Sequence, residues 1–246
     1  MRHETAHLVL EAIHSMRAQL AEHLRTPRRW QGSLRRNTLA RAIQGSNSIE
    51  GILVEVDDAA AALDHEQPLS TDETTFAEIK GYRQALGYVL AMAKDKDFRF
   101  QVSVIRSMHF NMLSHDLSKS AGQHRGGPIY AHDAALDRTV YEGPPFGEVP
   151  GLVDELVGQF DGQDGEDPLV TAALPYLNLV MVHPFRDGNG RMALALQTLV
   201  LCRGGTPEPA FSSIEEWLGR YTEDYYRVLA ATGQRTWRPV RQPRPR

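Results

Sequence analysis

The chain has 246 residues, with 27 Lys and Arg against 31 Asp and Glu, a formal charge of −4, and 41% apolar residues. That length and apolar content suffice for one substantial domain carrying a small extension, and the acidic balance argues against nucleic acid or an anionic membrane as principal partner. A single cysteine, Cys202, excludes an internal disulfide framework and fits a reducing, cytoplasmic compartment.

The N-terminus interleaves charge and histidine with its apolar residues, so it lacks the h-region of a signal peptide. Leu8, Ala12, Met16, Leu20 and Leu24 recur every four residues and predict one face of a long helix that Pro27 stops. A second helix is expected from about Leu34, through Leu39, Ile43 and Ile49, to a C-cap at Gly51. After a polar turn at Pro68–Thr71, Phe76, Ile79, Leu86 and Leu90 outline the next helix, and Ile105, Met108 and Met112 another.

The stretch from Ala121 to Phe146 is rich in Gly, Pro and Asp, with apolar patches at Ile129, Tyr130, Val140 and Tyr141, and predicts a loop with a small hairpin. Val149, Leu152, Val153, Leu156 and Phe160 mark a helix that ends at the acidic stretch DGQDGEDP. Leu169–Val182 reads as a buried central helix, Met192–Cys202 as one closed by Gly204 and Gly205, and Ile214 to Leu229 as a last one. The closing RTWRPVRQPRPR alternates Arg and Pro and reads as a disordered, solubilising tail. Ala193–Cys202, the most apolar of the later stretches, contains Gln197 and is about half a bilayer span, so a soluble protein is expected.

The segment HPFRDGNGR, His183 to Arg191, carries the chemistry. Glycines at 188 and 190 let the backbone approach an anion, and a helix beginning there presents unpaired N–H groups and a positive dipole end. Asp187 is a hard oxygen ligand suited to Mg2+. Asn189 can donate to a phosphoryl oxygen, and Arg191 adds a permanently charged fork for a departing pyrophosphate. His183 alone in the segment titrates near neutrality and is the candidate general base, while Phe185 is expected to pack inward and aim the loop.

These residues resemble the Fic family motif, HxFx[D/E]GNGRxxR, matched at each position from His183 through Arg191. The resemblance implies an all-α, Fic-type helical bundle with a short β-hairpin flap, and transfer of AMP from ATP onto a Ser, Thr or Tyr hydroxyl of a target protein. It assigns His183 as base, Asp187 to Mg2+, and Phe185, Gly188, Asn189, Gly190 and Arg191 to the nucleotide. The motif's second arginine falls at position 194, where this sequence has leucine; a charge-assisted contact of about 1.5–3 kcal/mol to the terminal phosphate is thereby lost.

SNSIEG, Ser46 to Gly51, resembles the family's inhibitory motif, with Ser46, Glu50 and Gly51 at its fixed positions. In the family the glutamate pairs with the second arginine; here Leu194 removes that partner, and a buried Glu50 would need Arg191, another cation or a proton. AGQHR, from Ala121, and the following stretch resemble the family's flap, whose edge receives a target segment by strand addition, with Tyr141, Pro144 and Pro145 as contact candidates.

The implied division is an N-terminal helical extension over 1–71, a Fic core over 72–232 and a tail over 233–246. The implied partner is a protein with an accessible hydroxyl; self-modification and a homodimer stay open. Two alternatives stand beside AMP transfer: a nucleotide-binding regulatory module in which Leu194 blocks catalysis, and removal of the modification or use of a diphosphate donor. HETAH, His3 to His7, matches the HExxH zinc pattern formally but lies too close to the N-terminus to supply a third ligand. His109, His115, His124 and His132 show no metal-ligand spacing and read as surface or packing histidines.

Overall fold

The computed structural model describes residues 2–133, 137–160, 167–205 and 214–232. Its helices are α1 (Arg2–Leu24), α2 (Trp30–Ile49), α3 (Val56–Asp64), α4 (Glu73–Lys94), α5 (Val102–Leu113), α6 (Val149–Gly158), α7 (Pro168–Val182), α8 (Asn189–Arg203), α9 (Glu215–Arg220) and α10 (Thr222–Thr232). One antiparallel hairpin, β1 (Tyr130–Asp133) with β2 (Arg138–Glu142), lies between α5 and α6, pairing Tyr130 with Glu142 and shifting register between Ala131 and His132. The expected helical bundle with a hairpin is the observed fold.

The sequence placed the buried centre at the apolar run of α7, but that helix turns only one face inward, through Ala172, Pro175, Tyr176, Leu179 and Val182. The fully enclosed helix is α8, buried from Arg191 to Leu196 without interruption. Helix α7 covers it on one side, and α4 and α2 pack on others. Apolar composition alone cannot distinguish a helix lying over the core from one inside it.

Three other elements differ from expectation. Helix α3 was not anticipated; its buried Asp58 accepts hydrogen bonds from the backbone N–H groups of Leu69 and Ser70 and from the Ser70 hydroxyl, which organises the polar turn before α4. The predicted last helix is two, broken at Tyr221, whose ψ of 43° leaves the helical region. The apolar stripe of α1 is left uncovered, with Leu8 and Met16 64% and 59% exposed.

Local signals start the helices that frame the site. Asp72 caps α4 by accepting from the Thr75 N–H, and Asp167 caps α7 by accepting from Leu169, with Pro168 in its first turn. Helix α2 ends in a turn through Gly51, at φ 78°, and Tyr226 of α10 donates to the Ile49 carbonyl at 2.8 Å. The end of α2 is thus pinned to α10. The Arg- and Pro-rich tail and most of the acidic stretch before α7 lie outside the described residues. Among those described, no helix is long and apolar enough to cross a membrane.

Candidate active site

Helix α7 stops at His183, which takes the left-handed conformation, φ 50°, as C-cap ahead of Pro184. Arg125 fixes this corner. Its Nε donates to the His183 carbonyl at 2.8 Å, its Nη1 to Gly127 at 2.7 Å and its Nη2 to Pro144 at 2.6 Å, while its backbone N–H donates to Pro184. One buried guanidinium therefore joins the His183 turn to the base of the hairpin.

Beyond Pro184 the chain turns around Phe185, fully buried and stacked on His109 with ring centroids 3.7 Å apart. Asn189 closes the turn by accepting from the Phe185 N–H at 2.9 Å and donating to its carbonyl at 3.0 Å. Its amide thereby holds the loop in shape. Gly188, at φ 71°, gives the left-handed step from which α8 begins, a conformation costly for a side chain bearing Cβ.

Burial lowers the pKa of His183, so its imidazole is neutral near pH 7. Its Nδ1 lies 3.3 Å from the Val180 carbonyl, where it serves as donor and leaves Nε2 with a free lone pair. That is the protonation state a general base needs.

Asp187 sits at the start of this helix with both carboxylate oxygens engaged: Oδ1 accepts from the Gly188 N–H at 2.7 Å and Oδ2 from Lys119 at 2.8 Å. Burial opposes its ionisation, but Lys119 and Arg191 outweigh that and hold its pKa below the ordinary value. Lys119 also bonds Glu78 of α4, which in turn accepts from Arg191 Nη1 at 2.6 Å. Arg191 is 1% exposed and points into this network, with Asn47 as a further acceptor at 3.3 Å and its Nε without a partner.

His109, read from sequence as a surface or packing histidine, is built into the same corner. Its Nδ1 accepts from the Gly122 N–H at 2.8 Å and its Nε2 donates to the Asp187 carbonyl at 3.0 Å. Burial depresses its pKa to about 4, so it stays neutral.

Glu50 reaches the N-terminus of α8. A Cβ built on Gly190 would fall 2.1 Å from its Oε1, and the Gly190 and Arg191 N–H groups favour its charged form. Burial, with the Asp187 charge, raises its pKa against the attraction of Arg191 and of these two N–H groups. In place of the partner that Leu194 does not supply, Glu50 has the Arg191 charge and the positive end of α8 beside it. Leu194 itself is 1% exposed within the apolar core, and Ser46 is fully buried.

The flap candidates are arranged differently from one another. The Tyr141 hydroxyl donates to the Met181 carbonyl and the Pro144 carbonyl is taken by Arg125, so both face inward; Pro145 is exposed. The structure thus brings together His183, Phe185, Asp187, Gly188, Asn189, Gly190, Arg191 and Glu50. Glu78, Lys119, His109 and Arg125 complete the site, and sequence reasoning did not assign them to it. Glu78 had a signal, for it shares the α4 face of Tyr82, Ala85 and Val89, where an unpaired carboxylate would be costly. Lys119, on a short 3-10 turn, had none.

Among the described residues no cluster of three or more His, Cys, Asp or Glu could hold a metal ion. Asp187 is of the right chemical kind for Mg2+, yet an ammonium already occupies its outward oxygen. As the side chains stand, a divalent cation does not fit beside Asp187 unless Lys119 leaves.

Residues 99–201 match the sequence model of the Fic/DOC family. The chain is 29% identical over 168 residues to protein adenylyltransferase Fic of Nematostella vectensis, covering 66% of this chain and 35% of that protein. It is 25% identical over 208 residues to protein adenylyltransferase fic-1 of Caenorhabditis briggsae, covering 81% and 38%. The chain therefore spans little more than a third of these curated relatives. Its fold superposes on a Fic family protein from Desulfovibrio desulfuricans G20 with TM-score 0.73 and 28% identity, covering 91% of this chain and 64% of that one. A Fic domain containing signaling protein from Bacteroides thetaiotaomicron gives TM-score 0.74 at 21% identity, covering 87% and 79%.

Proposed function

This chain is a Fic/DOC family protein, and on that premise we propose that it transfers AMP from ATP to a Ser, Thr or Tyr hydroxyl of a protein. The observation that carries the reading is a neutral His183, with Nε2 unprotonated, close in the chain to a helix N-terminus against which the Glu50 carboxylate already lies. In the reaction the target hydroxyl gives its proton to Nε2 and its oxygen bonds the α-phosphorus. The bond from that phosphorus to the bridging oxygen breaks, and pyrophosphate leaves.

The Gly190 and Arg191 N–H groups then receive phosphate oxygens in place of Glu50. Gly190 permits this approach because any Cβ would occupy the anion's place. Asn189 and Phe185 keep the turn rigid, and Arg191, through Glu78, fixes the first turn of α8. The hairpin lies against the end of α7 through Tyr141 and Met181 and offers an edge for an extended target segment. Glu50 and the nucleotide compete for one site, so Glu50 is the inhibitory group.

A second reading keeps the nucleotide site but not the transfer, and the buried Leu194 together with the commitment of Arg191 to Glu78 favours it. Incubation with α-labelled ATP separates the two. Label appearing on protein in the Glu50→Gly variant and vanishing in Glu50→Gly with His183→Ala supports transfer; bound nucleotide with no label in either supports the regulatory module.

A further inference from the structure

We propose that Lys119 is the resident cation of this site, standing at Asp187 where a divalent metal would otherwise bind, so that nucleotide is held without a requirement for magnesium. This rests on reading the α8 N-terminus as a nucleotide site. Three observations carry it.

The first is geometric. The Lys119 ammonium lies 2.8 Å from Asp187 Oδ2 and simultaneously bonds Glu78, while Asp187 Oδ1 is closed by the Gly188 N–H. Both partners outweigh desolvation and keep the ammonium charged. Each oxygen of the Asp187 carboxylate thus already has a partner from the chain itself.

The second is the charge arrangement. Asp187 and Glu78 face Lys119 and Arg191, Glu50 acts on Asp187 and Arg191 from the other side, and His115 Nε2 lies 3.1 Å from Glu78. A divalent ion entering this set would meet two nearby cations, and the repulsion in a partly buried site is large. An incoming polyphosphate meets the opposite condition, because its oxygens compete with the carboxylates for an ammonium already in place.

The third is the division of labour between the two cations. Leu194 withdraws one positive group from the site, and Arg191 is 1% exposed with Nη1 bound to Glu78. The Lys119 side chain is 29% exposed, on a turn that ends in the left-handed Ser120, and its flexible stem lets the ammonium swing from Asp187 to a phosphate oxygen. Of the two, Lys119 is the cation with reach.

The test is calorimetric titration of the full chain with ATP, in excess EDTA and in excess MgCl2. The wild type is expected to bind with dissociation constants agreeing within about threefold in the two buffers. Lys119→Met is expected to lose about tenfold or more in EDTA, the size of one charge-assisted contact, and to recover most of it with magnesium. Lys119→Arg should remain metal-independent. A second readout needs no nucleotide: Mn2+ followed by electron paramagnetic resonance should bind Lys119→Met more tightly than the wild type, and the gain should vanish in Lys119→Met with Asp187→Asn. Because Glu78 keeps Arg191 and His115 in these variants, the fold is expected to persist, as far-ultraviolet circular dichroism would verify. Wild-type affinity that rises more than tenfold with magnesium, with Lys119→Met binding ATP as the wild type does in both buffers, overturns the role of Lys119 alone. Absence of ATP binding in the wild type and in Glu50→Gly, in either buffer, removes the nucleotide site and both proposals with it.

Discussion

Replacing His109 by glutamine tests whether a neutral ring holds the Asp187 turn in place. The imidazole accepts from Gly122, donates to the Asp187 carbonyl and stacks on Phe185, and burial depresses its pKa from 6.5 to about 4. The Asp187 charge favours protonation, while Arg191 and His124 oppose it. In the unfolded chain the ring takes a proton near pH 6.5; in the folded chain it refuses one until about pH 4. Its contribution to stability is therefore complete above 6.5 and is lost as pH falls between those values. At about 1.36 kcal/mol per pH unit, this comes to roughly 2 kcal/mol at pH 5 and roughly 3 kcal/mol at pH 4. A glutamine amide can keep both hydrogen bonds but loses the ring stack, about 1 kcal/mol, at every pH. Urea unfolding of both proteins at pH 7 and pH 5 isolates the effect, since His183, His124 and the carboxylates titrate in each. The variant should start less stable at pH 7 and then lose roughly 2 kcal/mol less than the wild type on acidification. Equal losses would mean that His109 is not a buried neutral ring.

Glu50→Gln reverses the direction. Because burial raises the Glu50 pKa, its charge destabilises the folded state above about pH 4.5, so the variant should melt higher at pH 7 and the gain should fade as pH approaches 4.5; a gain that is flat with pH would show that Glu50 is not buried as a carboxylate. Asn189→Ala leaves the Phe185 N–H and carbonyl unpaired inside the turn, a loss of about 2 kcal/mol or more, visible as a fall in melting temperature of roughly 5 °C; an unchanged melting curve would remove the staple from the account. Tyr226→Phe deletes the donor to the Ile49 carbonyl and should cost about 1 kcal/mol in urea unfolding while speeding amide exchange at Glu50 and Gly51. Exchange at wild-type rate there would mean that α10 does not pin the end of α2.

The helices that repeat apolar residues at helical spacing were legible, and so was the turn from His183 to Arg191, because a run of glycines between two apolar helices restricts the backbone to few arrangements. What periodicity could not give was depth. Helix α8 carries Asn189, Arg191 and Gln197 and looks less apolar than α7, yet it is the enclosed one, since Asn189 is bonded to Phe185 and Arg191 Nη1 to Glu78 and Asn47. Helix α3 escaped notice because its VDDAAAALD is short and its acidic start resembles a loop; Asp58 becomes a core residue only once residues 69 and 70 fold back onto it. The partners that Asn189 and Arg191 have within the chain were not legible for one reason. A polar side chain beside a cradle invites assignment to the ligand, whereas its nearest unmet demand is the backbone or carboxylate of its own fold.

The same logic bears on the leucine at position 194. An arginine there would bury a second cation on α8 three residues beyond Arg191, and a buried carboxylate would be needed to offset it. With leucine the core stays apolar, and Glu50 lies against Gly190 at the start of α8, where the N–H groups are fixed parts of the backbone and cannot be swung away. Under the proposed function this makes Glu50 and a phosphate oxygen chemically equivalent claimants for two donors. Displacing Glu50 and admitting nucleotide then become one exchange, in which an anion already desolvated inside the protein is replaced by one arriving from water. Its equilibrium is set by how firmly α2 and α10 hold the glutamate, not by a side-chain ion pair that salt or substitution could weaken.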